Sequence, residues 1–529
     1  MSIKRFIATS DTIITNAYPE EKTSRATGSN MGLADSLEVF SIYGTTSSSV
    51  GFSQELSRVL VKFPTTTADD SIDSIQACRS AGTIPASGSV SFYLRMYNVA
   101  HADTLISPSA KFNIFAVSSS WEEGRGKDMD TYGDKTHNQV GANWINAASG
   151  SLWSKAGGDY HTGSANSSVM YSKTFSNGDE DIEVDISELV EQWIAGTKNN
   201  YGIGMFLTSS QEAYFSSSTG LDYTAANGGI LHNPSGAATS YFTKKFSARS
   251  SEYFFQRPAI EARWNSATKD RRGEFYYSSS LATAAENLNT IYYYNYFRGR
   301  LRNIPSIGTG SIYLSIYSGS SDDSSPSGSA LTLVSDGTYV SAASPTFVTG
   351  GYVSTGVYSA SFAITAASTP LTTLYDVWLS GSTQYHTGTI KPKALDGSPV
   401  APLTRYVSNI TNFRKSYRNN EVARFRVYTR LKGWNPTIYT KAVATPEVNI
   451  VESGSYEIYR TIDDLKVVPF GTGSDLHTQM SIDASGSYFD FDMSMLEAGY
   501  MYGIRLSYYN ESVGSWVEQP NKFKFRVED

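Results

Sequence analysis

The sequence predicts an all-β chain, and three observations carry that reading. Charged residues make up only 18% of the 529 residues, while 36 Tyr and 25 Phe join abundant Ser, Thr and Gly; aromatics favour strands, and small polar residues favour turns. Short runs alternate or read wholly apolar between Gly, Pro, Ser and Asn, the pattern of strands closed by turns. One segment alone has a clear helical period. At 40% hydrophobic residues the chain has enough apolar surface for real cores, so wholesale disorder is not expected.

Strands are expected at "SRVLVKF" (Ser57 to Phe63), "SVSFYLRMYNV" (Ser89 to Val99), "KFNIFAV" (Lys111 to Val117) and "GIGMFLT" (Gly202 to Thr208). The helical segment is "DISELVEQWIAG", Asp185 to Gly196. Ile186, Leu189, Val190, Trp193 and Ile194 share one face, which must lie on a sheet. Asp185 reads as its N-cap, Glu188 as the far half of a capping box, and Gly196 as its stop. Trp193 then reads as a core anchor.

After "QRPAIEARW" (Gln256 to Trp264), the polar "NSATKDRRG" (Asn265 to Gly273) reads as a linker. Strands follow in "TIYYYNYFRGRL" (Thr290 to Leu301), "SIYLSIYSG" (Ser311 to Gly319), "GVYSASFAI" (Gly356 to Ile364) and "TLYDVWLSG" (Thr373 to Gly381). They suit an immunoglobulin-like sandwich. A second linker, "KPKALDGSPVAPL" (Lys391 to Leu403), carries three prolines. The last strands are "VARFRVYTR" (Val422 to Arg430), "SYEIYRTI" (Ser455 to Ile462), "SYFDFDM" (Ser487 to Met493), "YMYGIRLSYY" (Tyr500 to Tyr509) and "KFKFRVE" (Lys522 to Glu528). Three domains are expected: 1–265, then 266–402 and 403–529, both smaller immunoglobulin-like β-sandwiches. In "IYYYNYF" (Ile291 to Phe297) one alternate set should face the core. The other, continued by Arg298, Arg300 and Arg302, should be exposed or covered by a neighbouring subunit.

Net charge is −7 with no basic tract, which argues against a nucleic-acid partner. No apolar run approaches the ~20 residues of a membrane span, so no membrane insertion is expected. "MSIKRFIATSDTIITNAY" lacks an apolar run of signal length. The single cysteine, Cys78, allows no disulfide framework and suits a reducing compartment; it reads as an inert thiol.

Chemistry concentrates in "SWEEGRGKDMDTYGDKTHNQVGANW", Ser120 to Trp144. Glu122 and Glu123 are adjacent, so on a strand they would face opposite ways rather than share a substrate. Glu122 with Asp159 is the pair a glycoside-cleaving site would need. Asp128, Asp130, Asp134 and His137 offer cation ligands, but their spacing is not that of an EF-hand loop. The preferred reading is a solvated loop held by Trp121, Trp144 and Trp153. No zinc spacing, nucleophile elbow or phosphate loop occurs, so neither catalysis, a cofactor nor a metal is expected. Aromatics on the first domain, Trp144, Trp153 and Tyr160, are candidates to stack on sugar rings.

Several segments together resemble a DNRLRE-type domain, a jelly-roll β-sandwich of bacterial surface proteins and some phage proteins. They are "ATSDTIIT" from Ala8, "SRVLVKF", "SGSVSFYLRMYN" from Ser87, "SWEEG" from Ser120, Trp153 with "GGDY", "DISELVEQWIAGTKNNYGIGMFL" from Asp185 to Leu207, and "RPAIEARW" from Arg257. The resemblance covers about half the chain. It implies an N-terminal jelly roll in which "SWEEG" begins a long connection with a structural Trp. Some relatives bind polysaccharide. The whole arrangement, ending in "FKFRVED", resembles structural proteins of marine T4-like contractile-tailed phages. The resemblance implies a non-enzymatic virion protein of the tail, baseplate or neck, assembled with copies of itself and other virion proteins. A carbohydrate-binding adhesin that recognises host surface polysaccharide is the alternative.

Overall fold

The computed structural model describes residues 2–19, 25–45, 52–100, 109–128, 141–216, 229–338, 345–365, 371–393, 405–434, 437–438 and 448–529. It is all-β, with 44% of residues in strands and 8% in helices, so each core is built from sheet faces. No helix among the described residues is long and apolar enough to cross a membrane. The chain divides into two compact units, Ser2–Asn265 and Ser266–Asp529.

The first unit runs β1 (Ile3–Ile7), β2 (Ser10–Thr15), β3 (Ser36–Thr45), β4 (Phe52–Lys62), α1 (Ile75–Ser80), β5 (Ser91–Met96), β6 (Ala110–Ala116), β7 (Asn146–Ala148), β8 (Ser151–Leu152), β9 (Met170–Phe175), β10 (Ile182–Asp185), α2 (Ser187–Ile194), β11 (Ile203–Leu207), β12 (Tyr241–Ser247) and β13 (Ala259–Arg263). A four-stranded sheet has the order β1-β13-β5-β10. A seven-stranded sheet has the order β12-β3-β4-β11-β6-β9, with β2 also paired to β4. Alternate residues of the two sheets meet in one core: Phe92, Leu94, Ile260 and Ala262 from the first, Val59, Val61, Ile114 and Met205 from the second. The period of two along each strand makes this possible, because it puts the intervening residues on the outer faces.

Helix α2 closes that core with Leu189, Val190 and Trp193, the last 1% exposed. Its start differs from expectation. Asp185 is the last residue of β10, paired with Tyr93, so the sheet ladder holds its backbone extended. Its carboxylate accepts from Ser187 N at 2.9 Å and Ser187 Oγ at 2.6 Å. The N-cap position falls on Ile186, which has no capping side chain, and Glu188 accepts from Gln192 instead of closing a box. Gly196 stops the helix at φ 73° as expected. Cys78 is buried on α1, a helix the sequence pattern had not indicated.

In the second unit a seven-stranded sheet has the order Asn289–Tyr294, Val357–Phe362, Val348–Ser354, Ile312–Gly319, Leu374–Ser380, Thr383–Ile390, with Pro326–Ser327 added to Ile312–Gly319. A further pair of sheets is four-stranded (Tyr406–Ile410, Val422–Leu431, Gly486–Asp492, Ser481–Asp483) and six-stranded (Ser416–Arg418, Phe523–Glu528, Met501–Asn510, Gly454–Arg460, Lys466–Val468, with Ser515–Glu518 beside Met501–Asn510). Rings fill the space between them. Phe489 stacks on Tyr456 at 3.9 Å and on Phe425 at 5.0 Å.

The polar stretch read as a linker, Asn265 to Gly273, is structured. Asp270 N donates to Ile482 O, and Ile482 N donates to Thr268 O. Arg272 then forms a bidentate pair with Asp376, which is fully buried and also accepts from Trp378 Nε1 at 2.8 Å. The charges that suggested a solvated linker are instead partners for buried groups. Residues 394–403 of the second linker lie outside the described residues. In the aromatic run, Ile291 and Tyr293 enter the core. Tyr292 and Tyr294 stack on each other at 6.3 Å, and Tyr294 lies close to Tyr488 of the same unit. Tyr292 and Tyr294 of that alternate set are therefore half-buried by this chain itself, whereas Tyr296 and the arginines that continue the set are exposed. The strand ends at Tyr294, and a separate hairpin pairs Tyr296–Phe297 with Arg300–Leu301.

Candidate functional site

The outer face of the seven-stranded sheet in the first unit organises the polar segment. Ile14, Leu56, Leu60 and Val117 leave an apolar surface there, and Trp144, Trp153, Ala142, Ala147 and Ala156 lie on it as a second core. Trp144 is 0% and Trp153 5% exposed. Burying an indole requires a partner for its N–H. Trp144 donates to Gly229 O at 2.6 Å, Trp153 to Asn143 O at 2.8 Å, and half-buried Trp121 to Tyr201 O at 2.7 Å. Trp144 and Trp153 thus have no ring face at the surface on which a sugar could stack. They hold the described part of the loop on the sheet, and the apolar patch beneath them is what draws them in.

Glu123 in the segment and Asp159 beyond it are equally committed. Glu123 accepts from Asp11 N at 2.8 Å and takes a bidentate pair from Arg249. Asp11 accepts from Arg249 N at 2.6 Å. Burial, with Glu123 adding repulsion, pushes the Asp11 carboxyl up to about 7. Glu122 faces elsewhere: its carboxylate accepts from Ser149 N at 3.5 Å. Asp159 accepts from Ser154 N and Oγ, Lys155 N and Ser119 Oγ. Burial alone would raise its pKa, and those four donors hold it below the usual range. A carboxylate so saturated is a poor general acid. Asp130, Asp134 and His137 lie outside the described residues. Among the described residues no group of three or more His, Cys, Asp or Glu side chains is placed to hold a metal ion.

Beneath the loop lies a pair that sequence reasoning missed. Arg58 projects from β4 to the outer face, and Glu212 meets it from the turn after β11. Nε and Nη2 of Arg58 contact the carboxylate at 3.0, 2.8 and 2.9 Å. Arg58 Nη1 donates to Gly157 O at 3.0 Å. Its guanidinium sits 5.5 Å from the Trp144 ring, 5.8 Å from Tyr160 and 4.7 Å from Phe206. Burial raises the Glu212 pKa against the pull of Arg58. Burial also disfavours the charged guanidinium, but the neighbouring carboxylate outweighs that and raises Arg58. The signal was a lone arginine inside the apolar run "SRVLVKF". Its partner lies 154 residues away, beyond the reach of any local pattern.

Tyr160 reaches back to the same turn. Its Oη donates to Gly157 O at 2.8 Å, and burial pushes its phenol up to about 12. Gly157 and Gly158 have φ of 85° and 97°, which a side chain would strain. A Cβ on Gly157 would lie 3.0 Å from the Trp144 ring. A cavity of about 630 Å³ opens beside this assembly, lined among others by Arg58, Asn113, Tyr160, Phe206, Glu212 and Asn233. Of the three candidate stacking residues, Tyr160 alone borders it. The arrangement fixes a loop layer rigidly on a sheet and leaves one polar and aromatic recess at its margin.

No family model matches the chain, and no curated protein matches it. Among solved structures, the crystal structure of Salmonella alpha-2-macroglobulin reacted with methylamine is similar at 9% identity with a TM-score of 0.15. The match covers 100% of this chain and 34% of that one, so the chain spans about a third of its length. A likeness at that level carries no argument about fold or activity.

Proposed function

We propose that this chain is a non-enzymatic structural protein of a tailed-bacteriophage virion. It assembles as an oligomer, with copies of itself and other virion proteins, in the tail, baseplate or neck. One observation supports this reading above the others. Among the described residues in and around the polar segment the chemical groups are built as cladding: Glu123, Asp159 and Glu212 each anchor a turn, and three tryptophans pin the loop. Polar groups spent on holding a surface layer rigid serve a load-transmitting part, not a turnover site. The test is immunogold electron microscopy of intact particles with antibody against this protein. Label on the tail, baseplate or neck is expected; label confined to host cell surfaces would refute the proposal.

The recess beside Tyr160 supports a second reading, a host-polysaccharide receptor. Amides of Asn113 and Asn233 and the rings of Tyr160 and Phe206 line it, a combination suited to a sugar ring. A glycan array probed with the full chain and with Tyr160→Ala separates this reading from the first. Binding that the substitution abolishes favours it.

A further inference from the structure

The hairpin Tyr296–Leu301 stands apart from the sheets of the second unit. Arg298 and Gly299 form its turn with φ of 50° and 76°, the primed geometry that suits a two-residue hairpin. Tyr296 is 59% and Phe297 54% exposed. Arg298, Arg300 and Arg302 are exposed too, and none forms an ion pair among the described residues. Arg298 and Arg302 instead flank the Phe297 ring at 5.4 and 5.9 Å.

The hairpin is preorganised. Asn295 N donates to Gly356 O at 2.7 Å, Asn295 Nδ2 donates to Arg302 O at 2.6 Å, and Gly356 N donates to Asn303 Oδ1 at 2.7 Å. A Cβ on Gly356 would strike Arg302 N at 2.6 Å. These bonds bring the hairpin against the turn that follows Tyr352 and Val353, which are 37% and 48% exposed. Tyr, Phe and Arg on a rigid projection are the residue types that carry most of the binding energy at protein interfaces.

We infer that this hairpin is a docking element that seats on an acidic surface of a second copy of this chain. Charge selects the occupant. The chain has 50 acidic against 43 basic residues, while this element carries three unpaired arginines and no acid. Exposed carboxylates elsewhere, such as Asp179 and Asp322, make no ion pair among the described residues. Two such hairpins repel each other, so the contact is head-to-tail and joins the arginines of one copy to acids of the next. The inference rests on the assembly part of the proposed function.

The test is sedimentation velocity of the full chain at about 50 mM and 500 mM salt. The wild-type chain associates at low salt and dissociates at high salt. Arg298→Glu with Arg300→Glu abolishes association, and Phe297→Ser weakens it at least tenfold. Lys415→Glu with Lys522→Glu changes net charge equally, away from the hairpin, and leaves association intact. Unchanged thermal unfolding shows that each variant is folded. A monomeric wild-type chain at 100 μM overturns the inference, as does association that survives the arginine reversals. The second outcome leaves assembly standing and removes only the hairpin's role. Gold labelling of particles tests the virion reading independently of both.

Discussion

Replacing Glu212 by Gln tests whether the ion pair under the loop holds the first unit together. Arg58 and Glu212 side chains are each 9% exposed, so water reaches the pair only from the recess beside it and replaces a lost partner poorly. Gln keeps one oxygen but puts an NH₂ where the other stood, so donor meets donor at one of the 2.8 and 2.9 Å contacts of Arg58 Nη2. The guanidinium remains charged, enclosed by Trp144, Tyr160 and Phe206. Stranding one member of a buried pair costs about 3–5 kcal/mol. For a unit of this size that lowers Tm by roughly 10 °C. The assay is urea unfolding of the full chain followed by tryptophan fluorescence, with calorimetry for Tm. Amide exchange at Trp144 and Gly157 should quicken as the loop loosens, because Gly157 N donates to Trp144 O and Arg58 bonds Gly157 O. Arg58→Met with Glu212→Leu removes both charges and should recover most of the loss. If Glu212→Gln costs less than about 1 kcal/mol, the pair is not the anchor described here.

Three further outcomes follow from the same bookkeeping of buried groups. Asp11 has a folded pKa of about 7 against an ordinary 3.8, so the folded state binds the extra proton and stability falls as pH rises between those values. Between pH 5 and 8 this amounts to about 3 kcal/mol; urea midpoints at both pH values should show that loss in the wild type and its absence in Asp11→Asn. Trp144→Ala leaves a cavity between sheet and loop and should cost about 4 kcal/mol in the same unfolding assay. In the second unit, Arg272→Met strands the fully buried Asp376 and should cost about 3–5 kcal/mol, whereas Arg414→Ala, which breaks an exposed pair with Glu421, should cost less than about 1 kcal/mol.

Local pattern accounts for much of the fold. Strands at Ala110–Ala116 and Ile203–Leu207 lie where alternation and turn residues placed them, because a side-chain period of two is a property of the backbone alone. Phe52–Lys62 extends five residues ahead of the strand expected from Ser57. The helix around Trp193 was legible for the same reason at period 3.6. Its cap was not, because the β10–β5 ladder decides where the chain leaves the strand. The stretch Asn265 to Gly273 was misread because composition reports polarity, not partners. Arg272 looks solvated until Asp376, 104 residues away, is brought beside it.

The candidate site divides along the same line. The sequence alone determined that this is an all-β chain with one polar segment dense in acids and indoles, since residue type and spacing set local structure and available chemistry. Only the tertiary structure decided what those groups do. It laid Trp144 and Trp153 on the back of a sheet, tied Glu123 to Arg249, and paired Arg58 with Glu212 across 154 residues. Burial and ion pairing are properties of groups far apart in the chain, and they exist only once strands from both ends of the unit share a sheet.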